Sequence, residues 1–293
     1  MIAKPSETQH TPTTELYLAT AVCLVVLSGW PAWELVSRVT LVICLAAVVV
    51  FKSQLLEQSR LWFALTLAFA LWIAGNPLGV GNHQFVGVYL CLATGLVLVH
   101  RDSEWRSQWA FNARWLLVGV MAFATIQKLF SPEYIRGDFW GYFLSFGLAG
   151  KFVFGTGLWD STVSLFQENR ETLTTLATNG FGDESSAPIK PPFTYFKVVV
   201  MAITWATLAA EAVIAITYAL FPRSAFTHTF LLVFVGVLLL IRPEVEFASF
   251  ALILGRVSAG ELPRSLKIAY NLGIAICLAL SLALHHVDLG VIA

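Results

Sequence analysis

Two ionisable side chains stand in runs of apolar residues that should exclude them. Glu211 lies near the middle of the apolar stretch 196–221, where an ionised carboxylate is costly unless it is paired, protonated or next to water. Thr204, Thr207, Glu211 and Tyr218 follow one another at helical spacing and so share one helix face, turned toward a bundle interior. Two readings fit that face: a polar pocket that handles protons, or an interhelical hydrogen-bond contact that fixes packing. Lys128 ends an earlier apolar run, 111–130. Together with Arg114, about 21 Å away along the same helix, it either snorkels to a membrane interface or points into a pocket where its amine serves as a general base. His228, near the start of the next apolar stretch, is either a hydrogen-bond partner for Glu211 or a satisfied interfacial group. Gln127, Trp140 and Tyr142 flank Lys128 in sequence and complete the candidate ligand-binding set. Arg242, Glu244 and Glu246 cluster around Pro243, where they neutralise one another at a helix break or line a cavity. His285 and His286 close the last apolar stretch and read as interface anchors.

Other chemistries lack their residues. Cys23, Cys44, Cys91 and Cys277 all lie inside apolar runs with no CxxC pair and no Cys/His spacing suited to zinc, so they read as packed thiols. There is no GxSxG, HExxH, phosphate loop or Gly-rich dinucleotide turn. Paired Gly/Pro-broken helices in matching halves, the mark of an inverted-repeat transporter, are missing too.

The elements that must position these groups follow from composition. Of 293 residues, 57% are hydrophobic and 12% charged, with a mean hydropathy of +0.74. Soluble domains average about 45–50% apolar and about 25% charged, so a secreted module, a disordered chain and a nucleic-acid binder are excluded. The 18 basic residues balance the 18 acidic ones and leave no basic arm for phosphate. The expected fold is all-α, a polytopic integral membrane helical bundle of about eight transmembrane helices with interfacial or re-entrant segments. The spans fall at 16–33, 37–54, 61–78, 84–100, 111–130, 196–221, 225–241 and 266–285. A further apolar piece at 247–255 is too short to cross alone, which makes 242–255 a re-entrant segment or part of a broken helix.

Four stretches result: a polar tail at 1–14, five spans over 15–130, an aromatic interfacial segment and extracytoplasmic loop at 131–195, and three spans over 196–293. The tail lacks a basic region and a small-residue cleavage site, so the first apolar run is expected to stay as a span. Lys52 and Arg60 share one loop, and Arg101, Arg106 and Arg114 the next of the same parity, whereas 76–83 has no basic residue. The positive-inside rule then places the N-terminus in the cytoplasm and the end of the fifth span outside. Ten aromatics between positions 130 and 159, interleaved with glycines, suit a segment lying in the headgroup region. Residues 161–178 have helical character, and 179–192 read as an exposed turn region.

The run from Ile126 to Trp140 resembles a stretch in the membrane domain of vitamin K-dependent gamma-carboxylases and their bacterial relatives, the HTTM (horizontally transferred transmembrane) proteins. There a span ends in a Lys-Leu step, followed by an acidic turn, an aromatic and a glycine; Lys128-Leu129, Tyr134 and Gly137 fill those places. Glu211, the Phe226 and His228 pair, and the stretch from Glu246 to Leu254 are similar in outline to later parts of that domain. The likeness is to the short bacterial form, without the lumenal C-terminal region of the carboxylases. It implies a bacterial inner-membrane protein that binds a quinone or a lipid at an extracytoplasmic pocket, with Lys128 as the base that deprotonates the ligand. A secreted peptide substrate belongs to the same implication, whereas membrane partner subunits belong to the alternative that follows. The alternative from the residues alone is a non-catalytic subunit or scaffold of a larger membrane complex, with the polar groups as packing contacts.

Overall fold

A computed structural model describes residues 14–28, 55–75, 82–100, 104–145, 164–172, 190–191, 194–241, 244–258 and 262–284. The fold is all-helical, with no strand among the described residues. In chain order the helices are α1 (Thr14–Ser28), α2 (Ser59–Gly75), α3 (Asn82–Val99), α4 (Trp105–Leu129), α5 (Pro132–Ile135), α6 (Asp138–Ser145), α7 (164–172), α8 (Phe196–Leu220), α9 (Ala225–Ile241), α10 (Val245–Ser258) and α11 (Arg264–Leu284). The expected span at 37–54, the histidines at 285 and 286, and Arg242 and Pro243 lie outside the described residues.

The chain divides into two compact units, residues 1–116 with 245–293, and residues 117–244. In the first, α10 packs against α1, α3 and α11, while α2 packs along α3. Within the segment expected to be re-entrant or part of a broken helix, Val245–Ser258 form one helix, 14 residues long and buried from Ala248 to Ser258. Its sequence explains this: Phe, Ala, Leu and Ile recur on every side, and a helix apolar all round belongs in a core. The polar groups it carries are absorbed locally. Ser249 donates to the Val245 carbonyl at 2.7 Å, and Arg256 pairs with Glu15 of α1 at 2.7 Å. Tryptophan tips are treated likewise, with Trp62 donating to the Leu56 carbonyl at 2.8 Å and Trp109 to the Thr94 hydroxyl at 2.9 Å.

In the second unit α8 packs against α5, α6 and α9. Helices α4 and α8 have 25 residues each and mean hydropathies of 1.4 and 2.0 over their most apolar windows, enough to cross a membrane by length and composition. At 1.5 Å per residue each is about 37 Å long, against a hydrocarbon core of about 30 Å. Only 28% and 33% of those windows are buried, so most of their apolar side chains face outward. Phe123, Ile126, Val198, Trp205 and Ile216 are among the exposed ones.

Candidate functional site

The polar face expected on α8 is present. Thr204, Glu211 and Tyr218 are buried beside Val200, Leu208, Ile214 and Ala215, one stripe along the helix. Thr204 and Thr207 spend their hydroxyl protons on their own helix, donating to the carbonyls of Val200 at 2.9 Å and Ile203 at 2.8 Å. That pattern is usual for hydroxyls in apolar helices, and it leaves them no proton for Glu211.

Lys128, at the C-terminal end of α4, supplies the missing donor. Its ammonium forms an ion pair with Glu211 Oε1, joining residues 83 apart in sequence. The carboxylate side chain is 5% exposed and the lysine 25%, so Lys128 reaches the surface while Glu211 does not. The second carboxylate oxygen, Oε2, is buried with no hydrogen-bond partner. A buried acceptor left unpaired is uncommon in folded proteins and marks a place where a donor would be stabilising.

The chain then turns sharply to lay an aromatic cover over this pair. Ser131 caps α5, its hydroxyl accepting from the Tyr134 amide at 3.2 Å, and Pro132 at the first helical position suits the start of a helix. A hydrogen bond from the Ser131 hydroxyl, after one at its own backbone amide, holds the exposed Glu133 carboxyl below the usual range. The turn closes at Gly137, whose φ of 82° is the left-handed conformation a side chain resists. A Cβ there would sit 2.7 Å from Val200 Cγ1 and 3.1 Å from Met201 Sδ, so the missing side chain also lets the turn press on α8.

That turn places the Tyr134 ring 5.4 Å from the Lys128 Nζ, a cation–π distance. Trp140 Nε1 donates to the Tyr134 hydroxyl at 3.1 Å, and Tyr134, Trp140, Leu144 and Val200 form one buried apolar cluster. Burial, with the negative charges of Glu211 and Glu244 added, pushes the Tyr134 phenol up to about 12, while hydrogen bonds with Trp140 and Thr207 act the other way. A phenol whose folded-state value is raised binds its proton more tightly when folded. The stability tied to it is therefore complete below about pH 10 and is lost as pH rises toward 12. Spectroscopic titration of phenolate should show one tyrosine ionising only near pH 12, and that late component should vanish in Tyr134→Phe.

The other expected site residues separate into two groups. Trp140 joins the site through Tyr134. Gln127 and Tyr142 are exposed. His228 does not bond to Glu211; its Nδ1 is 3.0 Å from the Tyr218 hydroxyl and its Nε2 is 2.8 Å from the Pro222 carbonyl. A carbonyl only accepts, so Nε2 carries a proton and donates to it, and together with the Nδ1–Tyr218 hydrogen bond this ties α9 to the end of α8. Tyr134 and Glu244 are the groups near the pair that were not among the candidate site residues read from sequence. Glu244 was legible only as a charge beside Pro243, and Tyr134 only as an aromatic beyond a helix stop.

Comparison with family models, with curated proteins and with solved structures finds no match.

Proposed function

We propose that this chain is an HTTM-like polytopic protein of the bacterial inner membrane, N-terminus in the cytoplasm, that binds a quinone or lipid-like ligand at an extracytoplasmic pocket beside Lys128. The observation that carries this is the state of the Lys128–Glu211 pair: a buried carboxylate with one oxygen unfilled, joined to a cation that reaches the surface. A ligand hydroxyl entering between them would fill the vacant acceptor at Oε2. Its apolar body would lie against the aromatic cluster of Tyr134 and Trp140. Proton movement along the Lys128–Glu211 hydrogen bond gives a free amine and a carboxylic acid with no change in net charge. The free amine at Nζ can then take the proton of the ligand hydroxyl, which leaves the ligand oxyanion as the counter-charge of the ammonium and the Glu211 acid as a hydrogen-bond donor to that oxyanion. Lys128 is thus the general base of a redox-linked or peptide-maturation reaction, Glu211 its partner, and Tyr134 the ring that orients it. The outward apolar faces of α4 and α8 support membrane insertion, and the shorter apolar helices α1, α2, α3 and α9 are compatible with further spans on this reading.

One observation favours the second reading, a non-catalytic subunit of a membrane complex. Lys128 meets Glu211 directly, and both His228 nitrogens are engaged within the α8–α9 corner, so much of the polar inventory is satisfied internally. Native mass spectrometry with lipid and quinone extraction separates the two. A small molecule co-purifying with wild type and lost from Lys128→Ala supports the ligand site; a stoichiometric protein partner in both samples, without a small molecule, supports the subunit.

A further inference from the structure

Two thiols in the first unit lie in contact outside the Lys128 site. Cys23 on α1 and Cys91 on α3 are both fully buried, and their Sγ atoms are 3.5 Å apart. They are 68 positions apart in sequence, so their meeting is a product of helix packing. Neither is disulfide-bonded. A disulfide has an S–S length of about 2.05 Å, so about 1.5 Å of closure would join them, within the scale of a side-chain torsion and a small helix shift. Their surroundings decide which oxidant can act. Leu16, Ala19, Val22 and Val26 on α1, and Leu90 on α3, are buried with them. An apolar site of this kind, with no charged side chain among these neighbours, excludes charged, water-borne oxidants. An uncharged, lipid-soluble two-electron acceptor is the class that fits.

We propose that Cys23 and Cys91 are a redox-active dithiol that a lipid-dissolved quinone oxidises to a disulfide, joining α1 covalently to α3. In the balanced step two S–H bonds break and one S–S bond forms. The two electrons and two protons pass to the quinone, which leaves as the quinol. The test uses the full chain in lipid nanodiscs with duroquinone, whose fully substituted ring resists thiol addition. After reaction, free thiols are alkylated in denaturant and the chain is mapped by mass spectrometry. The expected result is a Cys23–Cys91 linked peptide, a loss of two hydrogens in intact mass, one duroquinol per disulfide, and Cys277 alkylated. Glutathione disulfide should act at least about tenfold more slowly. A Cys44→Ser chain removes exchange with the fourth thiol, and mapping of the wild type gives the same answer should that variant misfold. Cys23 and Cys91 both alkylated after quinone treatment, or a disulfide joining any other pair, would overturn the proposal. Cross-linking should be unchanged in a chain with Lys128→Met and Glu211→Leu, so the dithiol stands or falls independently of the ligand site.

Discussion

Replacing Lys128 by methionine is expected to lower stability by about 3 kcal/mol, the low end of the range for removing one partner of a buried ion pair. The low end applies because the lysine is 25% exposed, while its partner Glu211, at 5%, is left with an uncompensated charge and both oxygens unpaired by Lys128. The second substitution gives the diagnostic result. Adding Glu211→Leu should recover most of the loss, since an apolar pair of similar volume removes the stranded charge. Thermal unfolding in detergent micelles, followed by tryptophan fluorescence, reads both chains. A Lys128→Met variant as stable as wild type would show that the pair carries no structural charge.

Gly137→Val should cost a comparable amount, about 2–5 kcal/mol, from two additive causes. A β-branched residue held at a φ of 82° is strained by about 1–2 kcal/mol, and its Cβ would overlap Val200 Cγ1 at 2.7 Å, an overpacking worth about 1–3 kcal/mol. The damage should be local. With the turn forced off α8, Trp140 loses the partner it holds through Tyr134, and its emission should shift to longer wavelength as water enters. Gly137→Ala shares the backbone strain but has no γ-branches to place, so it should lie between wild type and valine. Unchanged unfolding and emission in both variants would contradict the close approach of this turn to α8.

How much of this could be read from the chain depends on the range of the interaction. The stripe of Thr204, Glu211 and Tyr218 was legible because helical periodicity is local and a carboxylate among apolar residues is conspicuous. Lys128 was legible for the same reason. Whether Glu211 meets Lys128 or His228 was not decided by sequence, since no periodicity links Lys128 to a residue 83 positions away. Gln127 is exposed, in keeping with helix geometry, where adjacent residues point about 100° apart. Tyr142 and Trp140, two apart on α6, diverge in the same way, one exposed and one buried. His228 was plausible as a partner of Glu211 because both lie in apolar stretches, yet a connection of a few residues between α8 and α9 brings Tyr218 and Pro222 to it first. The 242–255 segment was legible as too short to cross alone, but its burial was not. Fourteen helical residues are too few to cross a membrane, but they suffice for a core helix enclosed by neighbours.

The proposed ligand position against Lys128, Glu211 and Tyr134 can be probed by photoaffinity labelling. The full chain in lipid nanodiscs would be irradiated with an arylazido-quinone, with and without excess unmodified quinone, and the labelled residues mapped by mass spectrometry. The proposed site predicts competable labelling within 126–142 and 204–218, lost in the chain carrying Lys128→Met and Glu211→Leu. Labelling spread over the outward apolar residues Val198, Trp205 and Ile216, unaffected by competitor or substitution, would contradict it and leave the pair as a packing contact.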